Sequence, residues 1–295
     1  MGLFDGFLDD AAVFPPGSLP LAEAVVAHLS HRSAAHAGLV GPFVVASSAL
    51  GALAGEVSEL PAGSFEVALT VPKPGAIGVA LAVAERIPAV VVRAVEVAAP
   101  ADVPVAAVVP TLDAAFGLGS GLDAANDPPH HDGIEVFVEL PRDERRGELV
   151  AALSHTAYLA KLRSGGVRAD LYPGEDELTS AIVALTRVGL PFKATAGLHH
   201  AVRNTDTATG FEQHGFLNVM AAVAAALDGS HAEQVAALLA ERDGRVLAGR
   251  VARLADRAGE VRALFRSIGT CSIDEPVTEL ADLGLLTTRQ GAAVA

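Results

Sequence analysis

The chain has 295 residues, 51% of them hydrophobic and only 19% charged, which excludes bulk disorder and allows one large domain or two small ones. Lys and Arg number 21 against 35 Asp and Glu, a formal charge of -14, so neither nucleic acid nor an anionic membrane surface is expected as the main partner. The single Cys271 excludes an internal disulfide framework. The N-terminus lacks Lys and Arg, and Asp5, Asp9 and Asp10 interrupt its apolar stretch, so no secretory signal is read there. The uncharged stretch from Ala37 to Gly55 holds Pro42, Ser47 and Ser48 and suits a buried strand better than a bilayer span. A cytoplasmic protein is expected.

In chain order, strands are predicted over Ala11–Pro15, Pro42–Ser47, Phe65–Val71, Ala89–Val97, Ile134–Leu140, Tyr158–Arg163, Pro191–Ala196 and Leu264–Thr270. Most are continuous apolar runs, as parallel strands covered on both faces require. Helices are predicted over Leu19–His36, Ala49–Leu60, Gly75–Arg86, Arg146–His155 and Glu175–Val188. Eight strands alternating with helices predict an α/β fold, a (β/α)8 TIM-type barrel formed by residues 1–295 as one domain. An open doubly wound sheet is disfavoured, because no Gly-x-Gly-x-x-Gly turn follows the first strand.

Two segments depart from the repeat. Val97 to Gly133 carries prolines, glycines and His130-His131, and reads as a long surface loop with a short helix or strand, the histidines on a surface or lid. Residues 215–263 are helical in pattern and form an extended helical insertion between strands 7 and 8, with a role in the core or a subunit contact. Ser230 to Glu233 and Ser272 to Glu275 read as capping boxes, and Asp243-Gly244 as a break between helices. A homodimer is the expected assembly.

In such barrels the reacting groups stand at the C-terminal ends of strands. Glu139 ends the fifth strand and is a candidate general acid or base. The sixth places Lys161 and Arg163 on one face, and two cations on an apolar strand need a mouth, a ligand or a carboxylate partner. Lys161 is a candidate nucleophile toward carbonyls, and a structural Lys–Glu pair is the plainer reading. Arg163 suits an anion, and Ser164, Gly165 and Gly166 offer backbone N–H groups to it. The seventh strand carries Lys193 and Thr195, then His199 and His200, which are candidates for substrate binding. His199, Glu212 and His214 are an alternative divalent-metal ligand set, without a diagnostic spacing. Cys271 has no evident His or Asp partner in sequence and reads as a small buried hydrophobe.

Lys161-Leu-Arg-Ser-Gly165 and Lys193-Ala-Thr-Ala-Gly197 resemble the lysine-bearing sixth and seventh strands of class I, Schiff-base aldolases of the deoxyribose-phosphate aldolase type. The resemblance covers two short segments, and Arg163 departs from it, since the family has a small polar residue there. It implies that Lys161 forms the imine and Lys193 depresses its pKa, with no cofactor. Glu96 or Glu139 would stand for the family's acidic residue on the middle strands. The function expected is therefore a lyase of aldolase type acting on a small anionic carbonyl compound. The alternatives are a metal-dependent lyase or hydrolase and a non-catalytic, metabolite-binding barrel.

Overall fold

The computed structural model describes residues 2–117 and 133–286. His130 and His131 lie outside the described residues. The barrel strands are β1 (Leu8–Asp10), β2 (Val40–Ala46), β3 (Phe65–Val71), β4 (Val90–Val97), β5 (Glu135–Glu139), β6 (Leu159–Arg163), β7 (Phe192–Thr195) and β10 (Phe265–Thr270). They close into a barrel in the order β1-β10-β7-β6-β5-β4-β3-β2, and helices follow the strands, which is the (β/α)8 architecture. A two-stranded antiparallel ribbon, β8 (Asn204–Thr205) with β9 (Glu212–Gln213), stands apart from it. No helix among the described residues is long and apolar enough to cross a membrane.

The chain divides into two compact units, one of residues 2–41 with 163–286 and one of residues 42–117 with 133–162. The second unit carries consecutive parallel strands, with one shift of register between β3 and β4 at Val67 and Ala68. Phe43 registers with Val67, Leu69 with Val95, Glu96 with Phe137 and Glu139 with Lys161. Its strands are rich in Val and Phe because both sheet faces are covered, and Val67, Leu69, Val95, Val136 and Val138 are all buried. The segment after β4 forms the helix α4 (Val105–Ala115), which matches the short helix expected inside the long loop.

In the first unit, β1 pairs with β10 and β10 with β7. Their apolar side chains build an aromatic core, with Phe265 edge-on to Phe7 at 5.2 Å and stacked on Phe192 at 5.1 Å. The predicted insertion forms the helices α7 (Phe216–Leu227), α8 (Ala232–Ala240), α9 (Gly244–Ala252) and α10 (Ala258–Leu264). α7 is buried from Phe216 through Ala224, and it packs on α8, α9, α10 and the helix α6 (Glu175–Val188). α7 thus packs its buried residues within the chain. Asp243 caps α9 by accepting from the Arg245 and Val246 N–H groups, as the Asp-Gly break suggests. The cap of α8 falls on His231 with Gln234, one residue beyond the Ser230 box, because it is the His231 backbone N–H that the Gln234 side chain reaches.

The first strand differs most from expectation. It runs Leu8–Asp10 and ends where the predicted strand begins, so Ala11–Pro15 lies in the following loop. Two adjacent aspartates are tolerated in a strand because each has a buried partner, described next.

Candidate active site

Two lysines stand on barrel strands with their amines buried, and each belongs to its own unit. In the second unit Lys161 sits on β6, with its side chain 8% exposed. Its Nζ lies 2.9 Å from Glu96 Oε2 and 3.1 Å from Glu139 Oε2. Glu96, one residue before the end of β4, is 2% exposed, and Glu139, at the end of β5, is 20% exposed. The register explains the meeting, since Glu139 is the direct neighbour of Lys161 across β5 and β6. A buried ammonium is tolerated because the carboxylates offset its lost hydration. The Lys–Glu pair across these strands, the alternative to a nucleophilic lysine in the sequence, is present, with Glu96 as a second carboxylate.

In the first unit Lys193, on β7, is fully buried and donates to Asp9 Oδ2 at 2.5 Å. The same carboxylate oxygen accepts from Ser267 Oγ at 2.7 Å. Gly41 makes room for Asp9, since a Cβ there would fall 2.1 Å from Asp9 Oδ1. The next residue points to the other face of β1, as strand alternation demands. Asp10 Oδ2 meets His28 Nδ1 at 2.9 Å on the helix α1 (Leu21–Ser33). Asp9, Ser267, Asp10 and His28 are absent from the sequence expectations. The signal that points to Asp9 is the need of a buried Lys193 for a carboxylate.

The segment after β6 is engaged in building a turn. Ser164 N–H donates to the Thr195 carbonyl at 2.9 Å, and Ser164 Oγ donates to the carbonyls of Thr195 and Ala196 at 3.1 and 2.8 Å. This holds a left-handed turn at Ala196 and Gly197, with φ of 66° and 72°. A Cβ on Gly165 would meet Tyr172 Cε1 at 2.6 Å and Gly197 Cα at 2.9 Å. Ser164 thus spends its donors on the β7 turn instead of on an anion, and Gly165 serves close packing. Thr195 supplies one of those carbonyls and lies beside Gly269 on β10. Arg163 is half-buried at the end of β6.

The two histidines after β7 have opposite surroundings. His199 is buried, and its Nδ1 lies 3.2 Å from Cys271 Sγ, a partner that the sequence did not reveal. Burial, with some repulsion from His200, pushes the imidazole down to about 4, and burial pushes the Cys271 thiol up to about 11. Both groups are therefore neutral near pH 7, unlike an activated thiolate–imidazolium pair. His200 Nδ1 meets Glu279 Oε1 at 2.6 Å, and this hydrogen bond raises its pKa.

His199, Glu212 and His214 are each engaged elsewhere. Glu212 pairs with Arg203 and Arg242. His214 Nε2 donates to the Pro173 carbonyl at 2.8 Å, and its Nδ1 lies 3.2 Å from the Arg203 guanidinium. Burial lowers the His214 pKa. Among the described residues these three are not gathered as a ligand set. The trio of His, Cys, Asp or Glu atoms that does come together is His31, His36 and Asp274.

No family model matches the chain, and no curated protein matches it. Among solved structures, a protein described as of the dihydrodipicolinate synthase family, from Coccidioides immitis, is similar with a TM-score of 0.38 and 16% identity, over 96% of this chain and 94% of that one. A likeness of that size carries no argument about what this chain does.

Proposed function

We propose that the chain is a lyase of the Schiff-base type, acting on a small carbonyl compound through Lys161. The observation that carries this reading is the setting of that amine, on an interior strand position between two carboxylates and with a path to solvent through the 20% exposed Glu139. The choice of lysine is itself informative. The sequence has three lysines, Lys73, Lys161 and Lys193, and takes almost all its positive charge from arginine. A guanidinium would serve a buried ion pair at least as well, whereas only an amine can give up its proton and attack a carbonyl.

The chemistry then follows from proton positions. Glu96 or Glu139 accepts a proton from the Lys161 ammonium, and the free Nζ adds to the carbonyl carbon. The same carboxyl group returns a proton to the carbinolamine oxygen, which leaves as water and gives the iminium. That cation takes up the electrons of the neighbouring carbon–carbon bond as a carboxylate removes the hydroxyl proton of the departing fragment, which leaves as a carbonyl compound. The carboxyl group then protonates the enamine on carbon, and hydrolysis of the iminium frees the second product and the amine. Glu139 is the better proton carrier between turnovers because it reaches solvent. Arg163, at the end of the same strand, is proposed to hold an anionic substituent of the substrate. Lys193 is given a structural role, since its amine is sealed from solvent.

The test is borohydride trapping with a panel of small aldehydes, ketones and 2-oxo acids, read by peptide mass. The expected result is a mass gain on the Lys161 peptide that disappears in Lys161→Arg, a variant that keeps the cation between its carboxylates. No gain with any compound, or a gain on Lys73 or Lys193 alone, would remove Lys161 from the reaction.

A further inference from the structure

We propose that His31, His36 and Asp274 form a site for a divalent transition ion of the zinc class, apart from the lysine chemistry. His31 lies in the last turn of α1, His36 immediately precedes the 3-10 turn Ala37–Leu39, and Asp274 opens the helix α11 (Asp274–Asp282). His36 Nε2 lies 3.4 Å from His31 Nδ1, and His31 Nδ1 lies 3.7 Å from Asp274 Oδ1. One ligand atom from each residue falls within 4.8 Å of the others. In a tetrahedral site with bonds of about 2.0–2.1 Å, ligand atoms stand about 3.4 Å apart. Two edges of such a site are therefore present, and a small movement of the exposed Asp274 closes the third.

The electrostatics favour an ion as well. His36 is 7% exposed, and the ring nitrogen it turns to His31 is Nε2. Its polar neighbour is a second imidazole, and that ring faces a carboxylate. Three lone-pair donors gathered in this way repel one another unless a proton or a cation lies between them. Two imidazoles and one carboxylate select a borderline ion such as Zn2+ over Mg2+, which demands oxygen ligands. The Asp274 side chain is 78% exposed, so water or an external ligand can take the fourth position. Such an ion would tie the end of α1 to the start of α11.

The experiment is calorimetric titration of the full, untagged chain with Zn2+, in parallel with Mg2+, for wild type, Asp274→Ala and His31→Gln. The expected result is one equivalent of zinc per chain, no matching response to magnesium, and zinc affinity lowered at least about tenfold in each variant. Asp274 is exposed, so its replacement leaves the fold intact, which the circular dichroism spectrum checks. Absence of zinc binding at micromolar concentration overturns the proposal. So does zinc binding unchanged in both variants, which would place the ion on other histidines.

Discussion

Lys161 and Lys193 answer the same problem, a cation inside a barrel wall, in two different ways. Lys193 is wholly buried and pairs with Asp9, which also accepts from Ser267 and fits against Gly41. Lys161 keeps 8% of its side chain exposed and meets two carboxylates, one of which is 20% exposed. The first arrangement is closed to solvent, with both side chains exposed by 5% or less. The second brings two carboxylates to one amine, and one of them reaches solvent. The contrast shows why a buried lysine is not by itself a sign of chemistry. What separates the two is solvent access, through the 20% exposed Glu139 beside Lys161.

The sharpest way to break that comparison is to remove each amine without changing side-chain length much. Lys193→Met removes the cation that Asp9 accepts from in a buried site, and the expected loss is about 3–5 kcal/mol. Lys161→Met costs less, because water reaches its cluster at Glu139. Urea midpoints at pH 7 measure both, and equal losses would mean that the two sites are equally closed. Adding Asp9→Asn to Lys193→Met should recover part of the stability, since it removes the buried charge that Lys193 faced. A Gly41→Ala change tests the same seal from the other side. Its methyl group would arrive 2.1 Å from Asp9 Oδ1 and push on a carboxylate that Lys193 and Ser267 hold. The expected cost is about 1–3 kcal/mol. It should shrink once Asp9 and Lys193 are replaced together, and an unchanged cost would show that the strain lies in the backbone.

The contrast between the lysines was only half legible in the sequence. The barrel could be read because covered parallel strands are apolar runs with sharp ends, and Phe65–Val71 and Glu175–Val188 coincide with their predicted bounds. Lys161 stood out as a charge on an apolar strand, and Glu139 was within reach because strand order puts β5 beside β6. Asp9 was not visible for the opposite reason. It lies in a three-residue strand that its own charge disguises, and its partner Lys193 is 184 residues away. The Cys271–His199 contact joins residues 72 apart, which no local pattern encodes. Ser164 and Gly165 were noticed for their anion-binding chemistry. Their use in packing depends on Tyr172 and on the turn after β7, whose positions only the folded chain sets.

The same contrast between a sealed and an open group recurs, with smaller effect, in the two histidines after β7. His199 is buried beside a neutral thiol, and its folded-state pKa is lowered to about 4. Between its ordinary value of 6.5 and about 4 the unfolded chain binds the extra proton, so His199 makes the fold weaken as pH falls through that window. His200 is raised by its hydrogen bond to Glu279, so its sign is reversed. Its contribution is complete below 6.5 and is lost as pH rises through the raised folded-state value. The side chains of His200 and Glu279 are 36% and 33% exposed, so solvent screening holds the pair to a few tenths of a kcal/mol. Replacing His200 by Gln should therefore lower the urea midpoint more at pH 5.5 than at pH 9. The Ala201 N–H bond to Glu279 survives in that variant and keeps the loop in place. A midpoint difference equal at both pH values would mean that His200 carries no charge in the pair, and that the open member of this contrast is held by geometry alone.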